Sequence, residues 1–142
     1  DDALKAAVEG FYARLVKDPA LAHFFESIDL NFLKRHQVMF MRIAFTGIPP
    51  GMDVPKMIKD KHMRLFAVGL DEGHFDLVAG HLVAQLQSMG VSQPLVDEVV
   101  SVVGPLRACF EQGALEQRIA ARQKWMVQGA ALTAGLAVVA LY

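Results

Sequence analysis

Apolar residues recur every three to four positions along nearly the whole chain, and nowhere does the pattern alternate with the period of two that a half-buried strand requires. That periodicity predicts an all-α fold of helices parted by short breaks. Leu4, Ala7, Val8, Phe11, Tyr12 and Leu15 form one stripe of a helix over 2–17, which Asp18-Pro19 ends. A short apolar turn follows through Leu21, Phe24 and Phe25, and Ser27 to Asp29 offer a cap for a helix running from near Leu30 to Gly47. Residues 47–55, with three prolines and two glycines, read as an ordered irregular loop. A brief helix over Lys56 to Phe66 then presents Ile58, His62 and Leu65 together, and Gly69 closes it. Asp71 caps a helix running to Met89, with Phe75, Val78, Leu82, Leu86 and Met89 on its inner side and Gly90 as its stop. Pro94 suits the first turn of the next helix, while Pro105 inside the same run predicts a kink.

The 142 residues suffice for one core, and no internal repeat or low-complexity tract suggests another organisation. Fourteen Lys and Arg nearly balance fifteen Asp and Glu, so the net charge offers no footprint for nucleic acid. The single cysteine, Cys109, forms no internal disulfide, and no CxxC or CxxCH motif is present to attach a haem covalently or clip a zinc ion. We read Cys109 as a small core residue near the kink. HExxH, GxSxG and GxxxxGK[ST] are also missing, which demotes metal hydrolysis, serine nucleophiles and nucleotide chemistry.

The informative helix is the one after Asp29. Leu33, His36, Gln37, Phe40 and Ala44 fall at i, i+3, i+4, i+7 and i+11, which sets two polar side chains inside an apolar stripe. A second helix turns His62 inward and the first helix presents Tyr12. Buried without partners, such groups cost about 1–3 kcal/mol each, and a ligand or cofactor supplies partners. Haem suits the set, with a neutral imidazole on one side of the iron, hydrogen-bond donors on the other, and Phe24, Phe25, Phe40 and Phe75 to wall a flat macrocycle. By spacing alone, a satisfied core histidine is the better reading of any of these positions. His23 and His74 flank turns, His81 lies on a half-exposed face, and none of the three is given a role.

The succession of motifs resembles the truncated haemoglobins, in particular their group I branch, over about residues 8–110. The matching stretches are Phe11-Tyr12 followed by Leu21-Ala22-His23-Phe24-Phe25, FLKRHQVMFMRIAFTG at 32–47, KHMRLFAVGLDEGHFDLVAGHLVAQL at 61–86 and VVGPLRA at 102–108. The resemblance implies a truncated globin fold, a 2-on-2 helical sandwich, with haem b as cofactor. It makes His62 the proximal iron ligand and Phe25 a phenylalanine packed on the haem face, with Phe40 and Phe75 as further haem contacts. Tyr12 becomes the distal donor to bound gas and Gln37 its hydrogen-bonding neighbour. Leu33 falls where many globins place a distal histidine, so that position is apolar here. His36 lies one turn further on, where some cyanobacterial and algal relatives carry a sixth iron ligand; solvent beside a haem propionate is the rival place for it. The glycine pair that usually ends the distal helix is Thr46-Gly47, and the loop reaching His62 is longer and richer in proline than usual. No histidine follows His81 to attach haem covalently.

Residues 126–142 carry no formal charge and follow Arg118, Arg122, Lys124 and Trp125. As a helix they would span about 26 Å, just short of a hydrocarbon core of ~30 Å. The expected organisation is therefore a truncated globin domain over 1–112 and an extra hydrophobic C-terminal helix over 113–142, which either touches a membrane or pairs copies of the chain. Two functional readings stand. The first is a globin that binds O2, NO or CO, with nitric oxide dioxygenase turnover supported by an external reductase. The alternative is a six-coordinate haem held by His62 and His36 for electron transfer or for redox or gas sensing. The location expected is cytoplasmic, with membrane association through the tail as its variant.

Overall fold

A computed structural model describes residues 2–139, with side chains described for 2–130 apart from Ala44. Six α-helices and two 3₁₀ turns follow one another: α1 (Asp2–Leu15), a 3₁₀ turn (Ala22–Phe25), α2 (Leu30–Thr46), α3 (Val54–Phe66), α4 (Glu72–Ser88), α5 (Gln93–Val103), a second turn (Gly104–Leu106) and α6 (Arg107–Val139). There is no strand among the described residues. The stripe of α1 buries Ala7, Val8, Phe11, Tyr12 and Leu15. This helix packs on α2 and on α4; α4 packs in turn on α5 and α6, and α3 packs on α6. Val8, Leu21 and Val96 are the most completely enclosed side chains.

Local chemistry sets the boundaries. The Asp29 carboxylate accepts from the backbone N–H of Asn31 and Phe32, at 2.9 and 3.1 Å, and starts α2. Gly47 ends that helix at φ 115°, a left-handed conformation that disfavours any residue with a Cβ. Asp53 accepts from the N–H of Lys56 at 2.9 Å and starts α3 at Val54, two residues earlier than the periodicity predicts. Pro55 thus belongs to the helix rather than the loop, because the first turn has no use for its missing N–H. At α4, Asp71 accepts from the N–H of Gly73 and His74, and His74 Nδ1 accepts in return from the N–H of Asp71. This reciprocal cap gives His74 a structural task.

Two expectations change. Met89 lies beyond the last residue of α4 and is 39% exposed, so the inner stripe of that helix ends at Leu86. The kink expected at Pro105 is a full interruption: α5 stops at Val103, three residues wind as a 3₁₀ turn, and α6 starts anew at Arg107. Arg107 pairs with Asp76 of α4 at 2.9 Å, fixing the new direction.

From there α6 runs without a break through the boundary expected at 112/113. Its early turns are core. Gly113 and Ala114 are buried, Gly113 lies against the ring of Phe66, and Glu116 pairs with Lys59 of α3 at 2.7 Å. The expected contacts of 126–142 fall mostly on side chains outside the described residues; among those described, no helix is long and apolar enough to cross a membrane.

Candidate functional site

The candidate residues lie on three elements: the C-terminal half of α1, the middle of α2, and α3, which packs on α6. Tyr12 is buried, and burial alone pushes its phenol up to about 12. It is therefore a neutral hydroxyl at any physiological pH. Its hydroxyl donates to Gln37 Oε1 at 3.4 Å, a bond near the long limit and easily exchanged for another. Phe25 meets Tyr12 edge to face, ring centres 6.1 Å apart, and Leu33 packs on the same core. Phe40 packs with Val54 and Ile58, two turns and one turn before His62 on α3, and with Cys109.

On α3, His62 Nδ1 lies 2.7 Å from the carbonyl oxygen of Ile58, one turn back on the same helix. That contact requires the proton on Nδ1, so Nε2 is left with its lone pair. Burial lowers the pKa of the imidazole and the Ile58 carbonyl opposes this in part, so the ring is neutral at physiological pH. The ring of Phe110 stands 5.0 Å from His62, and Phe75 stacks 5.0 Å from Phe110 on its other side. Phe66 completes this aromatic wall, 5.8 Å from Phe110.

His36 is placed differently from the stripe that predicts it. Its side chain is exposed, Nδ1 lies 2.9 Å from the carbonyl oxygen of Phe32, and the ring stacks on that of Phe32 at 4.0 Å. Of the two polar residues expected to face inward from α2, Gln37 does so and His36 does not. The 100° step between neighbours on a helix separates them, and the apolar stripe is only wide enough for one. His81, by contrast, pairs with Asp18 at 2.7 Å and ties α4 to the end of α1.

Phe110 and Phe66 are the site residues that the sequence reading missed. Phe110 sits i+4 from Leu106 on a helix whose start is masked by Pro105, and that spacing was its one legible signal. For Phe66, the signal was its place four residues after His62 on the same helical face.

The donor set is informative about what can be held here. Among the described residues no group of three or more His, Cys, Asp or Glu is gathered around a point, so no bare ion is caged. A single neutral imidazole with a free nitrogen, framed by aromatic and aliphatic side chains, suits a metal already held in a flat apolar macrocycle. The bacterial-like globin family matches residues 1–111. The chain belongs to that family. Haem is accordingly its cofactor, and the site fits it.

Individual relatives agree. The chain is 37% identical over 105 residues to the group 1 truncated hemoglobin GlbN of Mycolicibacterium paratuberculosis, covering 74% of each protein. With the group 1 truncated hemoglobin GlbN of Synechocystis it shares 36% identity over 103 residues, 72% of this chain and 82% of that one. Among solved structures, THB4 of Chlamydomonas reinhardtii superposes with a TM-score of 0.69 at 38% identity, covering 78% of this globin and 87% of the other. The 2/2 hemoglobin of Synechococcus, solved in the cyanomet state with covalently attached heme, gives a TM-score of 0.68 at 38% identity, with 77% and 89% covered. The all-helical architecture is thus that of a truncated 2/2 globin, to which α6 adds length.

Proposed function

We propose that this globin binds a diatomic gas, O2 or NO foremost, in a pocket that uses His62 as the proximal ligand of haem b and Tyr12 with Gln37 as the distal hydrogen-bonding pair. The observation that carries the reading is the Tyr12–Gln37 contact, two neutral polar side chains joined by one long bond in surroundings otherwise apolar. Haem, when bound, supplies an iron centre that takes a diatomic gas and changes oxidation state. The chain does the rest. Ile58 holds the His62 ring by its Nδ1 proton and leaves Nε2 toward the metal. Phe25, Leu33, Phe40 and Phe75 offer apolar walls that keep water away from the macrocycle. Tyr12 donates to the partial negative charge of the gas once its proton is released from Gln37, and the Gln37 amide then donates in its turn. Turnover as a nitric oxide dioxygenase belongs to the same reading and needs electrons from another protein.

The second reading, a sixth ligand from His36, rests on one feature: with Nδ1 turned to the Phe32 carbonyl, its Nε2 has no hydrogen-bond partner among the described residues. Taking that role requires the side chain to leave its exposed position. The deciding experiment is the visible spectrum of the haem-loaded protein, ferric and then ferrous without oxygen. The expected ferrous spectrum has a single broad band, unaltered in His36→Leu, and His62→Gly loses it until free imidazole is added. Split, sharp ferrous bands that vanish in His36→Leu would transfer the assignment to the six-coordinate reading. A wild-type protein that takes up no haem would end both.

A further inference from the structure

The near-zero net charge conceals a strong segregation. Between Leu30 and Phe66, the span that holds α2 and α3, lie seven of the fourteen Lys and Arg but two of the fifteen Asp and Glu, a balance of +5; the remaining residues carry seven against thirteen, a balance of −6. The two acids of the basic span are both engaged, Asp53 in capping α3 and Asp60 with Lys56 at 2.6 Å. Two of its cations turn to neighbouring helices, Lys34 to Glu9 at 2.6 Å and Lys59 to Glu116 at 2.7 Å. Lys56 is the partner of Asp60 and Arg42 is engaged as well, which leaves Arg35, Lys61 and Arg64, all exposed and with no acidic partner among the described ion pairs. Lys61 and Arg64 stand one turn apart on the flank of α3 roughly opposite the one that Lys59 turns to α6, since each residue advances about 100° round a helix. Arg35 stands on α2 beside His36 and Gln37. The uncompensated positive charge therefore sits on the two helices that supply His62 and Gln37, while the rest of the molecule is acidic.

A solvated surface has no need of such a division. Concentrating one sign beside the site and the other sign elsewhere creates a dipole that orients an incoming charged partner before contact. We propose that the exposed cations of α2 and α3, Arg35, Lys61 and Arg64, dock a small acidic electron-transfer protein of the flavoprotein or iron–sulfur class. The inference rests on the gas-binding haem reading, because it names the source of the electrons that turnover there consumes. The step is a one-electron transfer: the donor loses one electron, ferric haem gains it to become ferrous, and no bond forms or breaks. An acidic protein is favoured over an anionic bilayer or a nucleic acid because the cations are few and local, and the acidic remainder of the molecule repels an extended polyanion.

The test uses the haem-loaded full chain and an acidic flavodoxin as probe. Binding is read by titration calorimetry, and reduction of the ferric protein by the reduced flavodoxin is read by stopped flow. Affinity is expected to fall roughly tenfold between about 20 and about 200 mM salt. Arg35→Glu, Lys61→Glu and Arg64→Glu together should weaken low-salt binding and slow reduction by roughly tenfold or more, with the salt dependence flattened. A control, Lys5→Glu with Lys17→Glu and Arg122→Glu, changes the net charge by the same amount on residues outside α2 and α3 and should leave both readouts within about twofold of wild type. Equal losses in the two triple variants would overturn the proposal, as would flavodoxin binding too weak to detect when the chain captures phosphatidylglycerol vesicles or duplex DNA. Failure of the first triple variant to take up haem, with the control loading normally, would also overturn it by giving these cations to the cofactor. The underlying haem reading fails separately, by a wild-type protein without a Soret band.

Discussion

Tyr12 concentrates what a single residue contributes to the site. Its phenol is buried, neutral and tied by one bond of 3.4 Å, so it has a proton to offer and little to lose by offering it. Removing that donor with Tyr12→Phe keeps the ring and its edge contact with Phe25. A hydrogen bond to a partly charged acceptor is worth about 1.5–3 kcal/mol, so oxygen release should quicken by roughly tenfold to a hundredfold in a stopped-flow displacement assay. An unchanged rate would move the distal role to Gln37 alone. The same burial sets a pH dependence. An unfolded chain ionises its tyrosines at about 10, and Tyr12 does so at about 12 when folded, so the unfolded state sheds the proton first. The stability this contributes is present below about pH 10 and is lost as pH rises through the folded value. An ultraviolet phenolate titration of wild type against Tyr12→Phe should place the difference near 12. A difference near 10 would mean that haem loading exposes the residue.

At the scale of elements, the joints between helices carry the geometry, and two glycines show how differently such joints are built. A Cβ on Gly113 would overlap the ring of Phe66, a rigid side chain already fixed between Phe110 and the core. A Cβ on Gly10 would meet the amide end of Gln85, whose Oε1 accepts from Arg14 at 3.0 Å but which can swing aside. Both positions are helical, where alanine is intrinsically favoured over glycine by about 1 kcal/mol. Gly113→Ala should therefore lower stability by about 1–3 kcal/mol and disturb haem uptake, because α3 carries His62 against α6, whereas Gly10→Ala should be close to neutral. Thermal melts of the two variants side by side check this.

These joints also mark where the sequence was legible. Helix starts were readable because caps are local: Asp29 and Asp71 each stand within three residues of the N–H groups they serve. The polar stripe of α2 was readable only to within one residue, since His36 and Gln37 are neighbours and just one of them can face the core. Periodicity gives the direction of a helix face and leaves open what lies opposite, so Phe66 and Phe110 could not be set beside His62 until α3 was seen packed on α6. Family resemblance supplied the roles of Tyr12 and His62; spacing by itself had left each of them an ordinary core residue.

For the whole molecule the open matter is where the globin ends. Sequence patterning divides the chain after residue 112, where a helical stretch begins that ends in the uncharged tail over 126–142. The packing instead carries the globin into the middle of α6, because Gly113, Ala114 and Glu116 all close against α3 or the core. Beyond these residues Ile119, Trp125, Met126 and Val127 are exposed, so this stretch adds little to the fold of one chain. Two truncations separate the alternatives. Ending the chain at Trp125 removes 126–142 and should leave the melting temperature within about 2 °C and haem uptake intact, because Met126 and Val127 at its start are exposed and exposed residues contribute within about 0.5 kcal/mol. Ending it at Gln112 removes the Phe66 contact and the Lys59 partner, and should free α3, lower the melting temperature by several degrees and weaken haem retention. If the chain ending at Gln112 melts and binds haem like the longer one, α6 is an appendage from the end of its second turn on and the domain boundary belongs at 112. If the chain ending at Trp125 also loses a self-association or a detergent requirement that the full chain shows, the uncharged tail is the element that joins this globin to a second copy or to a membrane, and α6 is the rod that connects it to the helix bearing His62.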